Sequence, residues 1–166
     1  TITLGQDLDL GSGTIETSSS TNVLSLAADV TITTNSHHLA FKSILLNGYQ
    51  LQAVTTGIDV SSDSLSISGN GTLQSDLSVT GNSLNLDGTV LFTSSVLDFS
   101  NATVNISDIT SIQSSSMTLN SVVWDITSDS QLNWDGFGGT LSGTMDIGNN
   151  GRFKIDSNDA TVSVDI

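Results

Sequence analysis

Residues 64–92 read SLSISGNGTLQSDLSVTGNSLNLDGTVLF, and the reading of this stretch decides the fold. An apolar–polar–apolar triplet recurs in it as Leu65-Ser66-Ile67, Leu77-Ser78-Val79 and Leu84-Asn85-Leu86. Period-two alternation places the outer residues of each triplet on one side of an extended chain and the middle residue on the other. A triplet is too short for an amphipathic helix, and the intervening Ser, Thr, Asn and Gly are poor helix formers. Gly69-Asn70-Gly71, Gly81-Asn82 and Asp87-Gly88 punctuate the bends, where positive φ or side-chain-to-backbone bonds are useful.

Working outward, the triplet belongs to a repeat. One series runs Leu8-Asp9-Leu10, Leu24-Ser25-Leu26, Ile44-Leu45-Leu46, Leu65-Ser66-Ile67, Leu84-Asn85-Leu86, Val104-Asn105-Ile106, Trp124-Asp125-Ile126 and Met145-Asp146-Ile147. Its successive starts lie 16, 20, 21, 19, 20, 20 and 21 residues apart. A second series runs Ile2-Thr3-Leu4, a polar gap at residues 18–20, Leu39-Ala40-Phe41, Ile58-Asp59-Val60, Leu77-Ser78-Val79, Leu97-Asp98-Phe99 and Met117-Thr118-Leu119. It loosens over residues 137–141 and returns at Val162-Ser163-Val164. A rougher third series runs Ile15, Val30-Thr31-Ile32, Leu51 to Val54, Leu73, Val90-Leu91-Phe92, Ile109 to Ile112, Leu132-Asn133-Trp134 and Phe153-Lys154-Ile155. The three interleave in constant order.

This pattern predicts an all-β fold, a single-stranded parallel β-helix or triangular β-solenoid. It would have about eight coils of 19–21 residues, with three short strands per coil. Residues one period apart then lie above one another at roughly 4.8 Å, giving a rod on the order of 40 Å long. An antiparallel sandwich would show longer strands and no three-phase order. The absence of Pro agrees with the solenoid, because Pro in an inner coil would delete a ladder donor. Residues 1–166 read as one solenoid domain, either a segment of a longer rod or a fibre subunit.

At this level the chain resembles extracellular β-solenoids of bacterial adhesins, such as filamentous-haemagglutinin-like proteins and autotransporter passenger domains. The coil length carries the resemblance, with the words Gly13-Thr14-Ile15, Gly71-Thr72-Leu73, Gly88-Thr89-Val90 and Gly139-Thr140-Leu141. The resemblance implies secretion, surface display and a scaffold role. Phage tail fibres and carbohydrate-active β-helix enzymes look similar at the same level.

The formal charge of −14, with Lys42, Arg152 and Lys154 as the only Lys and Arg, speaks against nucleic acid, whose phosphates need clustered cations. Anionic membrane surfaces are disfavoured alike, and no apolar run approaches a membrane span. Without Cys there are no disulfides or thiolate metal sites. Asp125 and Asp146 hold the same outward position in consecutive coils, which makes them a weak calcium pair or two solvated carboxylates, the second being favoured. Calcium, weakly suggested by this pair, is the one cofactor the sequence offers. His37-His38 lack a third ligand and point to opposite faces, so they read as a polar corner.

A glycosidase or lyase would need paired carboxylates in a walled cleft. Asp59 with Asp63, or Asp129 with Asp135, are such pairs, but the connections between triplets are short, and no catalytic residue is assigned. The outward positions Asp9, Ser25, Leu45, Ser66, Asn85, Asn105, Asp125 and Asp146 form no continuous Thr array of the ice-binding kind. Asn70, Asn101 and Asn105 lie in glycosylation sequons. Leu45 and Leu91 fall at outward positions, whereas Trp124 and Trp134 fall in core phase.

A parallel solenoid leaves backbone edges open at both ends unless they are covered. The alternating segment ending in Val162, Val164 and Ile166 at one end, and Ile2 and Leu4 at the other, are therefore the candidate assembly residues. The sequence predicts an extracellular or cell-surface structural or adhesive module, an adhesin stalk or self-assembling fibre subunit. Its expected partners are copies of itself, end to end, or a cell-surface glycan. The rival expectations are a glycan-binding or glycan-cleaving β-helix and an ice-binding solenoid.

Overall fold

The computed structural model describes residues 1–12, 23–34, 39–54, 58–59, 64–93, 96–113, 116–135, 139–156 and 160–165. Among these every regular element is a strand and every strand pairing is parallel. The chain winds as a β-solenoid with three faces, as the repeat predicts.

The first face starts with Ile2–Leu4 and continues through Val23–Leu26, Ser43–Leu45, Ser64–Ser68, Ser83–Asp87 and Thr103–Ile106. The second is an eight-stranded sheet from Leu8–Gly11 to Arg152–Asp156. The third includes Leu39–Ala40, Ile58–Asp59, Leu77–Ser78 and Val96–Asp98. The third side of the first coil, like His37, His38 and Ile15, lies outside the described residues. The number of coils described on all three sides is therefore smaller than the eight expected.

Stacking follows the predicted columns through the middle of the rod. Leu65, Leu84, Val104, Trp124 and Met145 are successive register partners. So are Leu51, Leu73, Phe92, Ile112 and Trp134 on the second face. All ten side chains are buried in one apolar core. Phe92 meets Phe99 edge-on with ring centres 6.3 Å apart, and Phe99 meets Trp124 likewise at 6.3 Å, so an aromatic chain crosses the core between faces.

Three details depart from the sequence reading. Leu8-Asp9-Leu10 does not head the first face: Ile2-Thr3-Leu4 pairs with Leu24-Ser25-Leu26, and Leu8 pairs with Ile32 on the second face. Ile44 lies opposite Ile67 rather than Leu65, a slip of two that keeps the side chains on their faces. The expectation of three short strands per coil fails near the end of the chain. There Ser116–Ile126 and Gly139–Ile147 each run from the third face into the first, fusing those faces into one 13-stranded sheet. The fused pair carries a bulge between Leu119 and Val122, where Ser121 has φ 55°. The loosened part of the second series is also placed, Leu141 lying between Leu119 and Val162 in register.

The corners hold one another. The Oδ1 atoms of Asp7, Asp29 and Asp76 accept the backbone N–H groups of Thr31, Gln50 and Val96 at 2.7, 2.8 and 2.7 Å. Asn70 accepts from Thr89 N–H at 3.0 Å in the same manner. Each acceptor sits one coil before its donor, so these side chains supply bonds at corners where the ladder is interrupted.

Candidate functional site

The described surface divides into outward columns along the faces and two open ends. On the first face the outward column Ser66, Asn85, Asn105, Asp125 and Asp146 is continuous in register. Asn105 Nδ2 donates to Asn85 Oδ1 at 2.7 Å, forming one step of an amide ladder. Asp125 and Asp146 are register partners, as expected, and both are exposed. No group of three or more His, Cys, Asp or Glu suited to a metal occurs among the described residues. The calcium candidates thus remain a pair of carboxylates.

The carboxylates considered for catalysis have separate partners. Asp129 lies at a corner with φ 63° and accepts from Asn150 Nδ2 at 3.0 Å. Asp135 lies at the end of the strand Gln131–Asp135 and accepts from Gln113 Nε2 at 3.3 Å. Asp63 lies outside the described residues, so the Asp59–Asp63 pair does too. A shallow depression is lined by Ile109, Asp129, Ser130, Gln131, Asn150 and Arg152.

The remaining surface candidates are placed individually. Leu45 and Leu91 are half-buried. Trp124 and Trp134 are core, as their phase predicts. Asn70 and Asn101 are exposed, whereas Asn105 is half-buried in the ladder.

The ends differ from the middle. On the second face the column that is buried at Ile112 and Trp134 finishes at Ile155, which is 38% exposed. Phe153 and Ile147 are partly buried against the core at the same end, and Leu4 and Leu10 at the other. Ile2 is 40% exposed. Each end therefore presents apolar columns without a covering coil among the described residues, next to strands paired on one side alone. Ala160–Asp165 pairs with Gly139–Ile147, so Val162 and Val164 lie in a rung with one neighbour, and Ile166 falls outside the described residues.

Sequence reasoning named Ile2, Leu4, Val162 and Val164 for these rungs but overlooked the charges beside them. Arg152 and Lys154 lie on the last rung of the second face, both exposed, with Lys154 Nζ 3.4 Å from Asp156 Oδ2. Asp7 and Asp9 lie at the first rung of that face, also exposed. The signal was present in the sequence, since two of its three Lys and Arg residues fall in one five-residue strand.

No family model, curated protein or solved structure matches the chain.

Proposed function

We propose that the chain is an extracellular or surface-exposed structural module, a stiff acidic rod that serves as an adhesin stalk or fibre subunit and extends by stacking end to end. One observation supports this reading above the others: core columns that are buried through the middle of the rod emerge half-exposed on rungs whose outer backbone edge has no partner among the described residues. An added coil of the same kind would cover both, supplying a ladder of hydrogen bonds and an apolar lid together. Within this reading Ile2, Leu4, Val162, Val164 and Ile166 belong to the joining rungs, and no residue is assigned a catalytic role.

Electron microscopy and sedimentation of the purified chain test the proposal. Filaments about one solenoid wide, lost on deletion of residues 161–166, are expected. Undiminished polymers after that deletion would remove the terminal strand from the mechanism. A chain monomeric at every concentration would remove the fibre reading.

Glycan contact is a second reading, favoured by the amide and charged groups around the depression at Asp129, Gln131, Asn150 and Arg152. A glycan array combined with a reducing-sugar assay separates binding from cleavage, and either from neither.

A further inference from the structure

We infer that Asn150-Gly151 is a self-modifying corner. In the folded rod its side-chain amide is lost to attack by the following backbone nitrogen, ahead of the same reaction at the other Asn-Gly pairs, and a carboxylate is left against Asp129. The inference stands apart from both functional readings above.

The reaction needs neighbouring residues and solvent alone. Where Gly follows Asn, the Gly nitrogen can reach the Asn Cγ, because no Cβ on the Gly obstructs it. Base takes the proton from the Gly N–H, an N–C bond forms to Cγ, and the Cγ–Nδ2 bond breaks, Nδ2 leaving as ammonia. Water then opens the resulting succinimide at either carbonyl, giving Asp or isoaspartate. The sum is amide plus water to carboxylic acid plus ammonia, with nothing oxidised or reduced.

The sequence holds three such pairs, Asn47-Gly48, Asn70-Gly71 and Asn150-Gly151. All three Asn side chains are exposed, so access of water does not separate them. The bonds that hold the reacting atoms do. Ring closure requires both the Asn side chain and the Gly N–H to leave their partners.

At Asn70-Gly71 one residue of the next coil holds both. Thr89 N–H donates to Asn70 Oδ1 at 3.0 Å, and Gly71 N–H donates to the Thr89 carbonyl at 3.0 Å. Gly71 also opens the strand Gly71–Leu73, paired with Val90–Phe92, so its nitrogen is released only when coils part. Asn47-Gly48 is stitched on two sides. Asn47 Nδ2 donates to Ser25 Oγ at 3.1 Å and to the Leu26 carbonyl at 2.8 Å, while Gly48 N–H donates to the Asn70 carbonyl one coil on.

Asn150-Gly151 is held differently. Gly151 N–H donates to the Gly148 carbonyl at 2.8 Å, inside its own turn, and the Asn150 side chain has one partner among the described residues, Asp129 Oδ1 at 3.0 Å. Rotations within that single turn open both bonds. The flanking bonds between coils, from Gly148 N–H to Ile126 and from Arg152 N–H to Ser130, stay in place meanwhile.

The product reverses the sign of the contact. A donor on Asp129 becomes a second carboxylate, and like charges directly opposite are unfavourable. Isoaspartate also lengthens the main chain through the turn by one carbon. The depression that Asn150 and Asp129 line with Arg152 then holds two carboxylates beside one guanidinium.

The test is ageing of the full-length protein at mildly alkaline pH in heavy-oxygen water, followed by peptide mapping with fragmentation that distinguishes isoaspartate. Label is expected at residue 150 about tenfold faster than at 47 or 70, because those two must also break bonds between coils. In the urea-unfolded chain the three rates should draw together. Equal rates in the folded rod, or a lead at 47 or 70, would overturn the inference. So would a folded chain inert at 150 whose unfolded form reacts there. The effect of the product is read from Asn150→Asp, which should lower the urea midpoint in wild type. With Asp129→Asn the loss should disappear, since the exchanged amide donates to the new carboxylate. An equal loss in both backgrounds would overturn the like-charge contact.

Discussion

The bulge in the fused strands offers the sharpest check on the coil geometry, through a comparison of Gly143→Ala with Gly81→Ala. Gly143 has φ 129°, and a Cβ placed there would run into the carbonyl oxygen of Val122 and stand 2.7 Å from its nitrogen and 2.8 Å from its carbonyl carbon. All three contacts are backbone of the adjacent coil, so no rotamer change relieves them. Gly81 has φ 73°, with nothing within 4 Å of the same Cβ. The dihedral alone costs about 1–2 kcal/mol at Gly81. At Gly143 a residue forced into a sparsely populated region costs about 1–3 kcal/mol, and displacing packed backbone adds about 1–3 kcal/mol. Loss of unfolded-state freedom on Gly→Ala offsets both by about 0.4–1 kcal/mol and cancels in the comparison. Gly143→Ala is thus expected to be the worse of the two by about 2–3 kcal/mol. Urea unfolding read by tryptophan fluorescence suits the test, because Trp124 lies on the strand that pairs with Gly139–Ile147. Circular dichroism on the same samples shows whether the remaining coils stay folded, as nearest-neighbour stability allows. Equal midpoints for the two variants, with equal slopes, would mean that Gly143 and Val122 do not meet as described.

Three further outcomes are expected. Thr110→Val should stabilise the rod by about 1 kcal/mol in urea melts, because Thr110 Oγ1 is buried between Val90 and Leu132 in the column without a hydrogen-bond partner among the described residues; destabilisation would reveal a needed hydroxyl. Asp76→Ala should cost about 1 kcal/mol by orphaning Val96 N–H, while Asp76→Asn, which keeps an acceptor oxygen, should cost less. Asp125→Asn should stabilise by about 0.2–1 kcal/mol at low salt by removing the carboxylate pair with Asp146, an effect that melts in about 1 M salt should erase.

The parts of the fold that were legible are those where composition and spacing agree. Leu84, Val104 and Trp124 are twenty residues apart and stack as that interval requires. Where the reading slipped, the code is degenerate. A shift of two residues leaves every side chain on its own face, so alternation cannot distinguish Ile44 over Ile67 from Ile44 over Leu65. Ile2-Thr3-Leu4 and Leu8-Asp9-Leu10 are equivalent words, and only the anomalous interval of 16 marked the misassignment. The first of the fused strands was hidden because its corner is formed by Ser121, a residue type found throughout this chain, and not by a Gly signal. The corner acceptors Asp7, Asp29 and Asp76 were hidden by abundance: among so many acidic residues, a carboxylate that closes a coil reads like one that faces water.

On the proposed end-to-end reading, the exposed carboxylates would set the direction in which copies associate. Asp29, Asp87, Asp108, Asp125 and Asp146 are all exposed along its length. Two rods laid side by side would bring such columns together at successive rungs, multiplying repulsion with length and adding no backbone hydrogen bonds. Stacked end on, the same two rods meet over one coil's cross-section, where open ladder edges and half-exposed Ile2, Phe153 and Ile155 give hydrogen bonds and apolar cover. If copies associate as proposed, the balance would favour axial growth over lateral bundling, and raising the ionic strength would weaken the bias by screening the lateral term.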